Sequence, residues 1–362
     1  MTNVASSDFE TFVLRQDFPN VNYAYCQPFS LLTPHFAEVV KGVVEKHVQK
    51  TGQGPYQYKT ERTSACIRGC EELRALMKDT TTEIESRVSR IVGHRLKIHP
   101  IIFERDHVNV QSDVQDKPVD NWHQDSTPFV LVTILTQHAD DPGGSLLVRA
   151  RQEDGNILRA KLKYPGQAIL MQGSHIWHCA QESAKGKRLT MVTSFYVDET
   201  NVYDSTSIRI ALQYSPPLAT LTQFVNHVLR RLVRCTRELG ARVEKGDANP
   251  APLLTVIRSE TQKMLKSSLE IANLLSRGQR LQPGKKIESL DITSIPLTCL
   301  ASSAWVMTKA LAMFDEDTLT IETANLLISR AEHAEKKFMR AISSVHLRRD
   351  GNTGDVALVS SL

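Results

Sequence analysis

The 362-residue sequence predicts an α+β protein, with a β-rich middle between two helical flanks. Two observations predict this. Apolar residues recur at helical spacing near both ends of the chain. Between about residues 99 and 200 they come instead in short β-branched and aromatic runs, punctuated by Gly, Pro and Asp. The expected division is a mixed region at 1–98 whose helices support the core, a β core at 99–200, a helical region at 201–346, and a loose tail at 347–362. The helical region is expected to act as a lid, as packing, or as a dimerisation surface.

In the first region, Phe36, Val39, Val40, Val43, Val44 and Val48 predict an amphipathic helix. A second helix is expected over about 70–94, with Leu73, Leu76, Met77, Ile84, Val88 and Ile91 on one side. In the middle region the expected strands are Ile101–Gln111, Val130–Thr136, Leu146–Arg149, Ile157–Leu162, Ala168–Met171 and Leu189–Tyr196. Pro142-Gly143-Gly144 and Pro165-Gly166 mark turns. Many short strands with regular turn signals predict an antiparallel sandwich or barrel, not a doubly wound sheet. In the third region, Leu221, Phe224, Val225, Val228, Leu229, Leu232 and Val233 form a seam of period near 3.6. Further helices are expected over 252–279, 297–314 and 320–346, separated by Pro250, Pro283-Gly284 and Pro296.

Composition excludes several classes. Hydrophobic residues make up 41% and charged residues 23%, ordinary for a globular domain. The net charge of +4 is weak, and no basic run or aromatic–basic interleaving is present, so nucleic acid is not an expected partner. No apolar stretch approaches the roughly 18 residues of a membrane span. Six scattered cysteines, with no paired CxxC pattern and no secretory signal, suit a reducing, cytoplasmic setting. The ending Ser360-Ser361-Leu362 is a poor echo of the peroxisomal Ser-Lys-Leu address.

The chemistry concentrates in two segments. The first reads Asn121-Trp122-His123-Gln124-Asp125-Ser126. Side chains at i and i+2 of an extended chain point the same way, so His123 and Asp125 can reach one metal ion. A third ligand must come from elsewhere, and Gly173-Ser174-His175-Ile176-Trp177-His178-Cys179 offers His175 or His178. Two neutral imidazoles and one carboxylate form the facial triad of non-haem iron(II) oxygenases. The triad leaves two positions for a bidentate 2-oxo acid and one for dioxygen. Arg188 follows His178 by ten residues and opens an apolar run, Leu189-Thr190-Met191-Val192-Thr193. A guanidinium can fork onto the distal carboxylate of 2-oxoglutarate. Thr190, two residues on, faces the same way and can donate its hydroxyl to that carboxylate.

These residues resemble the pattern of the iron(II)/2-oxoglutarate-dependent dioxygenase superfamily. The gap from His123 to His178 is 178 − 123 = 55, and from His178 to Arg188 it is 188 − 178 = 10. Asp141-Pro142-Gly143-Gly144-Ser145-Leu146 resembles the family's Gly-Gly-x-Leu strand start. Tyr164-Pro165-Gly166-Gln167-Ala168-Ile169-Leu170 resembles the Pro-Gly-Asp strand leading to the distal histidine. Asn109 stands where many relatives carry an Asn-x-Tyr motif, and Gln111 replaces the co-substrate-binding tyrosine.

The resemblance covers about 101–197. It implies a double-stranded β-helix (jelly-roll or cupin-like) core, with His123, Asp125 and His178 as ligands of Fe(II). It also implies Arg188, Thr190, Gln111 and Asn109 as the co-substrate wall, O2 as oxidant, and succinate and CO2 as products. The offset to Arg188 selects His178 over His175, which becomes a pocket residue with Trp122, Gln124 and Thr127. The implied reaction is oxidation of a small molecule such as an amino acid or secondary-metabolite intermediate, by hydroxylation or else desaturation or cyclisation. A protein or peptide hydroxylase would share this site. A zinc hydrolase could use the same ligands but would leave Arg188 without a role. A homodimer through the C-terminal helices is a further expectation.

Overall fold

A computed structural model describes residues 25–51, 64–67, 70–111, 122–136, 143–149, 157–181, 188–208, 217–246, 249–276, 290–312 and 320–347. The protein is α+β, and the chain divides into two compact units, Met1–Asp198 and Glu199–Leu362.

The first unit begins with β1 (Phe29–Ser30) and α1 (Pro34–Thr51). Thr33 caps α1 by accepting the Phe36 N–H at 3.2 Å, and Pro34 takes the first helical position, where a missing N–H costs nothing. Phe36, Val40 and Val44 are buried at i, i+4 and i+8, whereas Val39 of the expected face is exposed. After β2 (Ser64–Ile67), the helix expected over 70–94 is two helices, α2 (Glu71–Met77) and α3 (Thr81–Val92), joined by a 3₁₀ turn at Lys78–Thr80. Thr80 and Thr81 both bond the Met77 carbonyl there, so their hydroxyls compete with the helical ladder. Gly93, at φ 77°, ends α3 in the left-handed conformation that favours glycine.

The strands β3 (Leu96–Ile98), β4 (His107–Gln111), β5 (Phe129–Thr136), β6 (Leu146–Arg149), β7 (Leu158–Ala160), β8 (Gln167–Met171), β9 (Trp177–Ala180) and β10 (Arg188–Val197) follow. One expected strand is corrected. Ile101–Gln111 is not continuous, because Ile102–Glu104 forms a 3₁₀ turn and Asp106 adopts φ 50°. The buried Asp106 carboxylate accepts the Thr193 hydroxyl at 2.6 Å, which fixes the start of β4 against β10.

Every pairing is antiparallel. A seven-stranded sheet runs β1-β8-β5-β10-β4-β2, with β3 also on β10, and a three-stranded sheet runs β7-β6-β9. β5 up to Leu135 and the first eight residues of β10 are buried on both faces; β5 is apolar there but for Thr133, whereas β10 buries Arg188, Thr190, Thr193 and Ser194 among its apolar residues. Val130, Val132, Ile134, Ile169 and Val192 of the large sheet form one apolar cluster with Leu146, Val148 and Ala160 of the small sheet. That shared cluster fixes which face of each sheet looks inward. Each of these side chains contributes about 1.5–3 kcal/mol on burial. Gly166, at φ 87°, lets the Pro165-Gly166 turn pack against the chain after β1. Its carbonyl accepts both the Leu31 and Leu32 N–H groups, and an added Cβ would meet the Leu32 backbone.

The second unit holds α4 (Pro217–Glu244), α5 (Ala251–Ser276), α6 (Leu290–Leu311) and α7 (Ile321–Leu347). The seam from Leu221 to Val233 is buried, and α4 packs against the other three helices. The seam is therefore covered inside its own unit. Pro296, expected to separate helices, lies within α6 instead. No helix among the described residues is long and apolar enough to cross a membrane.

Candidate metal centre

The extended segment carrying His123 runs beside β9. His123 and His178 exchange both backbone hydrogen bonds, each at 3.0 Å, forming an isolated bridge next to the small sheet. Two residues on, the Asp125 N–H donates to the Gly173 carbonyl at 2.9 Å. These main-chain bonds bring three side chains together. His123 Nε2 lies 3.4 Å from Asp125 Oδ1, His178 Nε2 lies 3.3 Å from Asp125 Oδ2, and the imidazole centroids are 4.3 Å apart.

Those spacings exceed an ordinary N–H···O bond of about 2.9 Å. They match neighbouring ligands on one cation, since bonds of about 2.1 Å place adjacent donors roughly 3.0–3.4 Å apart. The three side chains form a group able to hold a metal ion. The chemistry of the donors fits as well. His178 Nδ1 lies 3.3 Å from the Ile176 carbonyl. A proton held there leaves the Nε2 lone pair facing the carboxylate. A lone pair turned toward a carboxylate is unfavourable unless a cation sits between them. Burial alone would push the Asp125 carboxyl up; a proton or metal ion shared with His178 and His123 more than offsets this and holds it well below the usual carboxylate range. It is ionised at neutral pH, as a metal ligand must be.

Gly173 has a role that the sequence reading did not assign. A Cβ there would lie 3.0 Å from Asp125 Cγ and closer still to Oδ2. The missing side chain makes room for the carboxylate. The signal was visible as a glycine one turn before the distal histidine, but its meaning depends on a neighbour 48 positions earlier (173 − 125 = 48).

Of the two candidate distal histidines, His178 is buried and joins the group. His175 is exposed and hydrogen-bonded to Ser174 Oγ at 2.8 Å. Gln124 Nε2 donates to the His175 carbonyl at 3.1 Å and ties the two ligand-bearing segments together. Trp122 lies under the Arg149 guanidinium, 3.9 Å from its carbon to the ring centroid. Thr127 is buried.

The residues expected to bind the co-substrate lie on β4 and β10. Val192 belongs to the inward cluster, and β10 alternates, so Thr190 and Arg188 face the same interior. Both are buried, at 5% and 4% exposure, which is unusual for an arginine and implies a carboxylate or other polar partner. Asn109 pairs with Thr190, and Gln111 pairs with Arg188, directly across the strands. Cross-strand partners share a face, so Asn109 joins that wall. The Gln111 side chain lies outside the described residues.

A scan against models of known protein families finds no match, and neither does a search of curated proteins. Solved structures do match. A 2OG-Fe(II) oxygenase family protein from Burkholderia pseudomallei is 13% identical, covering 45% of this chain and 80% of its own, with a TM-score of 0.34. The non-heme alpha ketoglutarate dependent carbocyclase SnoK from nogalamycin biosynthesis is 15% identical, covering 48% and 79%, with a TM-score of 0.38. A Pseudomonas putida prolyl-4-hydroxylase is 11% identical, covering 48% and 92%, with a TM-score of 0.32.

Proposed function

We propose that the protein is an iron(II)- and 2-oxoglutarate-dependent oxygenase on a double-stranded β-helix core, acting on a small organic molecule. The observation that carries this reading is the convergence of His123, Asp125 and His178 beside a barrel interior that Arg188 and Thr190 also face. The two imidazoles and the carboxylate would hold Fe(II) from one side. When bound, iron would supply the activation of O2 that couples oxidative decarboxylation of 2-oxoglutarate to oxidation of the substrate.

The chain's own groups do the rest. Arg188 offers a fork of N–H donors to the distal carboxylate of 2-oxoglutarate, and Thr190 offers its hydroxyl. Asn109, opposite Thr190, is the next polar group on that wall. The apolar cluster of Val132, Ile134, Val148 and Val192 keeps water from the interior. Dryness strengthens the Arg188–carboxylate attraction. The bond from Gln124 to the His175 carbonyl holds the two ligand-bearing segments in register. Hydroxylation of an amino acid or secondary-metabolite intermediate is the reaction we favour. A cytoplasmic setting fits the free thiols of Cys26, Cys70, Cys179, Cys235 and Cys299.

The test is anaerobic titration of the apo-protein with Fe(II) and then 2-oxoglutarate, watching for the weak visible charge-transfer band of the chelate. The expected result is a band that His123→Ala abolishes. Arg188→Ala should weaken 2-oxoglutarate binding at least about thirtyfold, the cost of removing one partner of a buried ion pair. Iron binding without a band would overturn the 2-oxoglutarate assignment and favour a zinc-type hydrolytic site.

A further inference from the structure

A second group of donors lies elsewhere in the first unit, at the junction of α1 and α2. His47 is on the last turns of α1, Cys70 is three residues beyond β2, and Glu72 is in the first turn of α2. One oxygen, Glu72 Oε2, lies 3.6 Å from His47 Nδ1 and 3.6 Å from Cys70 Sγ. All three donor atoms lie within 4.8 Å of one another.

Tetrahedral zinc makes bonds of about 2.0–2.1 Å to nitrogen and oxygen and about 2.3 Å to sulfur. At a tetrahedral angle these lengths place sulfur and oxygen about 3.5 Å apart, and nitrogen and oxygen about 3.3 Å apart. The observed separations from Glu72 Oε2 are within a few tenths of an ångström of both. They are long for direct hydrogen bonds between nitrogen and oxygen. The Cys70 thiol donates to the same carboxylate oxygen on which the His47 imidazole converges, and one cation replacing the thiol proton would be shared by all three groups at these separations.

We propose that His47, Cys70 and Glu72 form a second metal site, selective for zinc or another thiophilic divalent ion, with the fourth position open to water or an outside ligand. A thiolate selects against Mg²⁺ and Ca²⁺. The site therefore differs in kind from the nitrogen- and oxygen-only centre at His123, Asp125 and His178, and does not depend on that centre's assignment. Its placement gives it a structural consequence. Cys70 follows β2, and β2 pairs with β4, which carries Asn109. A metal bridging Cys70 to α1 would hold that edge strand in place beside the barrel wall.

The test uses full-length protein carrying His123→Ala and Asp125→Ala, so that the barrel centre is disabled, titrated with Co²⁺ under reducing conditions. The expected result is one bound equivalent with a thiolate-to-cobalt charge-transfer band in the near ultraviolet, and loss of that band on adding Cys70→Ser. Glu72→Gln, at a solvent-exposed position, should keep the band and weaken Co²⁺ binding roughly tenfold or more. Absence of the band, its persistence in Cys70→Ser, or unchanged affinity in Glu72→Gln would each overturn the site as proposed. Circular dichroism of each variant separates lost ligation from lost folding.

Discussion

Each of the two units contains a cluster of ionisable side chains, and the clusters differ in how their charge is answered. In the helical unit, Asp204 and Glu260 are fully buried and Arg231, Lys263 and His227 nearly so. Lys263 Nζ lies 2.6 Å from Glu260 Oε2, Arg231 Nε lies 2.8 Å from Glu260 Oε1, and His227 Nε2 lies 2.6 Å from Asp204 Oδ2. The Thr206 hydroxyl donates to Asp204 at 2.6 Å, and Arg231 also donates to the Val202 carbonyl. Glu260 meets two permanent cations at hydrogen-bond distance, and Asp204 meets His227 and Thr206, with Lys263 Nζ 3.6 Å from its carboxylate. In the β-rich unit, Asp125 faces two imidazoles at 3.3 and 3.4 Å, and His123 remains 30% exposed. A buried cluster that closes on itself holds a fold together. A cluster of donors spaced to share one cation, with one edge open, is a candidate site.

The largest effect that would break this contrast is loss of the metal affinity proposed for the first cluster. Asp125→Asn keeps the shape and removes the charge. We expect iron affinity to fall more than roughly a hundredfold, beyond what loss of an outer-shell partner costs. Apo stability should fall by clearly less than the roughly 3–5 kcal/mol that breaking a closed buried pair costs, because the Asp125 side chain is 22% exposed. Isothermal titration and thermal unfolding measure the two halves. A large loss of apo stability would make this cluster structural, like its counterpart.

Lys263→Met is the mirror experiment. It leaves Asp204 and Glu260 buried with one cation fewer, a change that costs about 3–5 kcal/mol. Urea unfolding should show that loss while iron binding stays unchanged. An unaltered midpoint would mean that the helical cluster is not what stabilises its unit.

Gly173→Ala sharpens the contrast by touching a site without touching a ligand. The new methyl would collide with the Asp125 carboxylate, which must turn away from His178. Iron affinity should drop roughly tenfold or more, with the protein still folded. An affinity equal to wild type would show that Asp125 ligates from some other rotamer.

The sequence showed these two clusters to very different degrees. His123 and Asp125 sit at i and i+2, and Arg188 and Thr190 likewise, so strand alternation alone predicts that each pair shares a face. Local periodicity also found α1 and α4. It missed β9, because Trp177–Ala180 is a short strand straight after a turn, stabilised by partners on β6 that lie 28–34 positions earlier (177 − 149 = 28, 180 − 146 = 34). It treated residues before 99 as support, whereas β1, β2 and β3 extend the same large sheet. Their pairing belongs to tertiary contacts that no window of 11–18 residues contains. The Asp204 cluster was invisible for the same reason. Lys263 and Glu260 are an i, i+3 pair on one helix, but Asp204 and Arg231 reach them from other segments, and each alone reads as a surface charge.

The smallest effect is the dependence of the helical unit on acid. Burial pushes the Asp204 carboxyl up, but Lys263, His227 and Arg231 more than offset this and hold it well below the usual range. A carboxyl with a depressed folded pKa stabilises the fold fully above its unfolded value, near 3.9, and loses that contribution as the pH falls through the folded value. Stability of the helical unit should therefore be insensitive to this group above about pH 5. Below about pH 4 it should decline by up to about 1.4 kcal/mol per pH unit for this single group. Asp204→Asn lowers stability at neutral pH but should flatten that acid limb, and urea midpoints measured from pH 6 to pH 3 on both proteins compare the slopes. A wild-type limb no steeper than the variant's would show that Asp204 releases no stored charge on unfolding. Its partners would then hold a neutral acid rather than an ion, and the contrast between the closed cluster and the open one would rest on spacing alone.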